Sequence, residues 1–122
     1  MEPARSSIPL TRLFESRPGK NAALNAGLGS VTGDLVVLTD DDAFPKAEWL
    51  REMRAAADAH PDYAVFGGAI VPGWEAAPDS WISAWVPLGV VFSASDPSVP
   101  EGPTGAHNVF GPNMAIRAKV FA

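Results

Sequence analysis

The sequence predicts an α/β domain with a mainly parallel sheet, and three observations carry that prediction. A run of leucine and β-branched residues, Leu35 to Thr39, stops on three aspartates, Asp40, Asp41 and Asp42, as a buried strand does at its carboxyl end. Lys46 to His60 then places Trp49, Leu50, Met53, Ala56 and Ala57 at helical spacing. A second apolar run, Tyr63 to Val71, follows Pro61. Strand, helix and strand in that order form the repeating unit of a parallel sheet with right-handed crossovers.

The bulk properties narrow the class. A chain of 122 residues suits one small domain, burying roughly two thirds of its unfolded surface. An apolar fraction of 47% with 19% charged residues describes a globular chain rather than a disordered one. The net charge is −5 and the nine Lys and Arg residues are scattered, so no basic run neutralises a phosphate backbone and no nucleic-acid partner is expected. The absence of cysteine excludes a disulfide framework and thiolate metal sites. Met1 to Ser7 lacks the pattern of a signal peptide and is expected to be poorly ordered. No apolar run is long enough to span a bilayer, and a cytoplasmic location fits best.

Taken in order, Ile8 to Phe14 reads as a short strand, with Pro9 restricting it to a sheet edge. Glu15 to Gly19 turns through Arg-Pro-Gly. Lys20 to Val31 carries Ala23, Leu24, Gly27, Leu28 and Val31 as a one-face helical stripe. Glycine within a helix costs about 1 kcal/mol relative to alanine, so Gly27 is expected to mark a close backbone approach. Asn25 lies with Asn21 away from that stripe. In the strand Tyr63 to Val71, the pair Gly67-Gly68 is expected to admit a close neighbour. From Pro72 to Pro112 the chain turns proline-rich and irregular, and a loop-rich stretch of that length is expected to be functional. Within it, Trp81 to Ala94 is strongly apolar and lacks a Lys or Arg face, which favours core or cleft wall over an interfacial segment. Pro112 to Ile116 reads as a short extended piece, and Arg117 to Ala122 as the start of a helix.

The aspartates invite a chemical reading. Three adjacent carboxylates repel, so a fold that gathers them supplies a cation or hydrogen-bond donors. A hard divalent ion together with phosphate oxygens suits such a site. A solvated acidic turn ahead of the next helix is the alternative.

Three segments together resemble the middle of a family 2 glycosyltransferase. They are Gly-Lys-Asn-Ala-Ala-Leu-Asn-Ala-Gly-Leu at Gly19 to Leu28, the Asp-x-Asp strand with its Pro and Trp-Leu helix at Gly33 to Leu50, and Gly-Pro-Asn-Met-Ala-Ile-Arg-Ala-Lys-Val-Phe at Gly111 to Phe121. The resemblance implies a Rossmann-like GT-A fold with a mainly parallel sheet, incomplete at both ends, in one partial domain spanning residues 1–122. It also implies metal-assisted transfer of a hexosyl group from a nucleoside diphosphate sugar to an acceptor hydroxyl, with inversion in the full-length protein. Mg²⁺ or Mn²⁺ is the implied cofactor, with Asp42 as its ligand, Asp40 on the donor ribose or sharing the metal, and Asp41, the variable middle position, also on the donor side. Lys20 and Asn25 fall on the donor side.

For the acceptor side the expected residues are Trp74, Trp85, His107, Asn108, Asn113 and Arg117, with Trp81 nearby, while Trp49 belongs to a helical core stripe. Arg117 suits a carboxylate or phosphate partner or a structural salt bridge. The partners implied are the nucleotide sugar and a glycan or lipid-linked acceptor, with membrane association through segments outside this chain, at the inner face of the plasma membrane. The catalytic base is expected beyond Ala122, so the chain alone is expected to be inactive. Two other readings compete. One is a non-catalytic nucleotide- or metal-binding fragment. The other is a haloacid-dehalogenase-like phosphatase, which would want Thr or Val where this chain has Phe44.

Overall fold

A computed structural model of the chain describes residues 9–122 and divides it into two compact units, 1–32 and 33–122. The disorder expected of Met1 to Ser7, and the first residue of the expected strand, Ile8, lie outside the described residues.

In the first unit the remainder of that expected strand, residues 9–14, has no regular structure, and Leu10 and Phe14 are exposed. Pro9 offers no N–H to a ladder, and no strand pairs with this segment among the described residues. At the turn that follows, the Arg17 guanidinium donates to both carboxylate oxygens of Glu15, at 3.1 and 3.0 Å. That contact, the side-chain bonds foremost, holds the half-buried Glu15 carboxyl below its ordinary range. Gly19, at φ 110°, takes the left-handed conformation at the amino end of helix α1, Lys20–Leu28. The helix is three residues shorter than expected, because Gly29 caps it and Ser30 and Val31 turn back onto the carbonyls of Gly27 and Leu28. A side chain built at Gly27 would meet nothing within 4 Å, so the close approach expected there is absent from this unit.

The second unit contains strand β1 (Leu35–Leu38), helix α2 (Trp49–Ala59), strand β2 (Val65–Gly67), helices α3 (Ser80–Trp85) and α4 (Leu88–Phe92), and strand β3 (Met114–Arg117). A 3₁₀ turn, Ala118–Phe121, stands where a helix was expected to begin. The sheet order is β1-β3-β2, and β3 runs antiparallel to both neighbours. This corrects the mainly parallel sheet. β1 and β2 do run in the same direction and are joined through α2, but they do not pair with each other. β3 lies between them and takes their inward-facing ladders, with Ala115 opposite Val37 on one side and Phe66 on the other.

The core is small. Met53 and Ala57, four apart on one face of α2, are buried, as is Ala115 in the central strand. At the start of β1, Asp34 receives a two-pronged pair from Arg54 of α2, 2.8 Å at each oxygen, and Arg54 also meets Asp58 at 3.0 Å. These groups are largely exposed, so the network contributes about 1 kcal/mol or less.

Two expected elements are altered by what they pair with. β2 spans three residues rather than Tyr63 to Val71, because the residues after it bond to single groups instead of a strand. Gly68 N–H donates to the Asn113 carbonyl, and Ile70 exchanges two bonds with Ser95, one of them to its hydroxyl. The segment Trp81 to Ala94 was expected to be core or cleft wall: it is not core, since Trp81, Trp85, Val90 and Val91 are exposed, but Pro87, Gly89 and Val90 wall an open depression. Helices of six and five residues, separated at Val86 and Pro87, are too short to bury a continuous stripe.

Candidate functional site at one end of the sheet

The register brings several sequence signals to one end of the sheet. Leu38 of β1 and Gly67 of β2 both stand opposite Met114 of β3. The residues leaving β1 and β2 and the residues entering β3 therefore share that end: Thr39 to Asp42, Gly68 and Asn113.

Immediately after β1 the backbone turns at Asp41 and Asp42, closed by Ala43 N–H donating to the Asp40 carbonyl at 3.3 Å. The Thr39 hydroxyl donates to that carbonyl too, at 3.4 Å. Asp40 is half-buried, whereas Asp41 and Asp42 are exposed. A hydrophobic strand fixes where the turn starts, and the turn presents carboxylates outward.

Asn113 organises the frame beside it. Its Oδ1 accepts from the indole N–H of Trp49 at 2.8 Å, and its Nδ2 donates to the Ala69 carbonyl at 3.0 Å. Its own carbonyl accepts from Gly68 N–H at 3.0 Å. One side chain thus ties the amino end of α2 to the segment that extends β2, at the entry to β3. Trp49, expected in the core, is half-buried and takes part through this bond. The glycine pair is explained by the same packing. A side chain at Gly68 would collide with the Asn113 amide, its Cγ only 2.8 Å away, and one at Gly67 would press on Val109 at 3.1 Å. The adjacent glycines signalled this crowding in the sequence. Asn113 as its cause did not emerge there.

Arg117 lies at the opposite end of β3, opposite Leu35, away from the aspartates. Its guanidinium donates to the carbonyls of Ala57 (2.6 Å), Tyr63 (2.8 Å) and His60 (3.2 Å), and it sits 5.5 Å over the Phe66 ring. It satisfies the Ala57 carbonyl in the last turn of α2, shares the His60 carbonyl with the Tyr63 N–H, and places its charge at the negative end of the helix dipole. Neither a carboxylate nor a phosphate is needed to explain its position.

The other acceptor-side candidates lie in the irregular stretch. His107 and Asn108 occupy a 3₁₀ turn, Ala106–Asn108, where Asn108 donates to the Thr104 hydroxyl at 2.7 Å. Gly105 has no side chain to oppose the His107 ring, which a Cβ would approach within 2.7 Å of Nδ1. With Pro87, Val90, Asp96 and Phe110 they line an open depression of about 400 Å³. Asp96, which the motifs did not single out, accepts the Ser98 hydroxyl and backbone N–H on Oδ1, at 2.7 and 2.8 Å. Those donors, the hydroxyl foremost, hold its carboxyl below the ordinary range. Trp74 meets Phe92 edge-to-face with centroids 5.1 Å apart, and Trp85 is 84% exposed. Lys20 and Asn25 stand on exposed positions of α1 in the first unit.

The aspartate turn suits a hard cation in one specific way. Among the described residues no three His, Cys, Asp or Glu side chains gather into a metal cage. One or two carboxylates, completed by water and substrate phosphates, are what Mg²⁺ characteristically takes. No helix among the described residues is long and apolar enough to cross a membrane.

Residues 7–122 match the family described as Glycosyl transferase family 2. A glucosyl-dolichyl phosphate glucuronosyltransferase of Haloferax volcanii is 26% identical over 93 residues, which cover 74% of this chain and 28% of the relative. The chain therefore spans less than a third of that relative's length. No solved structure matches the chain.

Proposed function

From the chain's membership of glycosyl transferase family 2, we propose that it contributes the donor-phosphate part of an enzyme transferring a sugar from a nucleoside diphosphate sugar to a hydroxyl acceptor. The observation that carries this reading is the turn at Asp40 to Asp42. It leaves the end of a sheet strand with two exposed carboxylates and one half-buried, beside the frame tied by Asn113.

The chemistry follows from charge. Departure of a diphosphate concentrates negative charge on its oxygens, and a bound Mg²⁺ or Mn²⁺ would offset it as a Lewis acid. In this reading Asp42 holds that ion, Asp40 shares it or receives the donor ribose, and Asp41 lies beside the donor. Lys20 and Asn25 belong to the donor side. Four groups of the irregular stretch, Trp74, Trp85, His107 and Asn108, face the acceptor, a glycan or a lipid-linked sugar. Asn113 and Arg117 hold the frame. The transferred group is a hexosyl unit and the stereochemical course is inversion, which requires a general base to deprotonate the acceptor hydroxyl. A larger GT-A sheet, with parallel strands added to the three seen here, would complete the nucleotide pocket. The expected location is cytoplasmic, at the inner face of the plasma membrane.

Calorimetry with a nucleoside diphosphate sugar tests the reading. Binding is expected with Mg²⁺ or Mn²⁺, and a chelator or Asp42→Ala should weaken it. Loss of one charge-assisted contact of about 1.5–3 kcal/mol corresponds to about tenfold or more in Kd. Equal affinity in all three conditions refutes the metal role of Asp42.

A further inference from the structure

The loop that carries the aspartates, residues 39–48, is held at both ends by the same two neighbouring residues. At its start Leu38, the last residue of β1, stands opposite Met114 in the ladder. At its end Trp49, the first residue of α2, donates its indole N–H to Oδ1 of Asn113, next to Met114, at 2.8 Å. Two backbone bonds within this stretch are local turns: Ala43 N–H donates to the Asp40 carbonyl and Trp49 N–H to the Lys46 carbonyl. Turns of that kind shape the loop without fixing its far end against the sheet. The Asn113 side chain does fix it, because its Nδ2 donates to the Ala69 carbonyl at 3.0 Å and thereby orients Oδ1 toward the indole.

We propose that the Trp49–Asn113 bond is a clasp on this loop: it closes the aspartate turn against the central strand and so raises the affinity of Asp42 for a divalent cation. The inference rests on the preceding reading, in which Asp42 is the metal ligand, and it adds what holds that ligand in place. Trp49 and Asn113 are positioning residues, since neither is charged and the Asn113 oxygen is already engaged by the indole. A loop held at both ends samples fewer conformations, so less freedom is lost when its carboxylates close on an ion. Linkage makes the effect mutual: if the clasp favours the ion, the ion favours the clasp by the same factor. The ordinary net worth of one hydrogen bond puts that factor at about two- to tenfold.

The test uses the 122-residue chain and the metal alone. Mn²⁺ is titrated, with its free fraction read by electron paramagnetic resonance, into the unaltered chain, Trp49→Phe, Asp42→Ala and Arg54→Ala. Trp49→Phe keeps an aromatic ring and removes the N–H donor, and it should weaken Mn²⁺ binding about two- to tenfold. Asp42→Ala should weaken it at least as much. Arg54→Ala cuts a different tie between α2 and β1, at Asp34, and should not weaken it. A second measurement needs no substitution in the clasp. The Trp49 indole proton, assigned by its loss in Trp49→Phe, should exchange with water more slowly in saturating Mg²⁺, by a factor in the same range, and this slowing should vanish in Asp42→Ala. Equal Mn²⁺ affinity in Trp49→Phe and the unaltered chain overturns the proposal, as does an indole exchange rate that Mg²⁺ leaves unchanged. So does equal weakening in Arg54→Ala, which would make affinity follow overall stability. These three outcomes leave the metal role of Asp42 standing. Mn²⁺ binding that is absent, or that survives Asp42→Ala, overturns that role and this inference with it.

Discussion

The segment from β1 to β2 and the segment that leads on from it to β3 are both rich in apolar residues, yet they bury them differently. In the first, α2 is eleven residues long and aligns Met53 and Ala57 on one buried face. In the second, α3 and α4 are six and five residues long, and Trp85 and Val90 each remain 84% exposed. Hydrophobicity alone does not place a residue inside. Burial requires a helix long enough to repeat its stripe and a neighbour against which to lay it. In the proposed reading, the first segment is a frame that positions the aspartate turn, and the second presents surface to a ligand.

The contrast is best broken at Arg117, which ties the end of α2 to the sheet through three carbonyls. Arg117→Ala should cost about 1.5–3 kcal/mol in chemical denaturation, since charge-assisted bonds are lost and the carbonyl of buried Ala57 loses its guanidinium donor. Arg117→Lys should recover little, because a single ammonium cannot reproduce the fork. A loss below about 0.5 kcal/mol, the level of an ordinary surface substitution, would show that the frame does not depend on it. At the other end of the sheet, Gly68→Ala drives a methyl group into the Asn113 amide and should destabilise by about 1–3 kcal/mol. Adding Asn113→Ala should relieve part of that loss, so the double variant should lie above the sum of the two single ones. Strict additivity would mean that the clash is not the cause.

Gly27 sharpens the comparison from outside both segments. Open space around it predicts that Gly27→Ala gains up to about 1 kcal/mol by thermal or chemical unfolding. A loss would place a close neighbour there in the folded protein. The smallest effect is expected where the surface is most open. Trp85→Ala should change stability by about 0.5 kcal/mol or less, and a larger loss would mean that the exposed face is covered in solution.

Much of the candidate site was legible because its signals are local. The apolar run ending at Asp40, the helical spacing from Trp49 to Ala57 and the pair Gly67-Gly68 each depend on a few neighbouring residues, and each has a structural counterpart. The sheet's connectivity was not legible. β1 and β2 have the direction and helix expected of a parallel pair, but nothing in their own sequences says that Met114 to Arg117 will lie between them. The bonding partners of Arg117 and Asn113 were not legible for the same reason. Those partners lie 44 to 64 residues away, on α2, at its carboxyl end, and just before and after β2.

The sequence by itself determined the family and the aspartate turn, since both are written in contiguous residues whose spacing dictates local conformation. Tertiary structure alone decided which strand is central, that Arg117 caps a helix, and that the tryptophans of α3 remain in solvent. Those outcomes follow from competition among distant groups for the same ladder edges, carbonyls and apolar faces, and only the folded chain shows which partner each one takes.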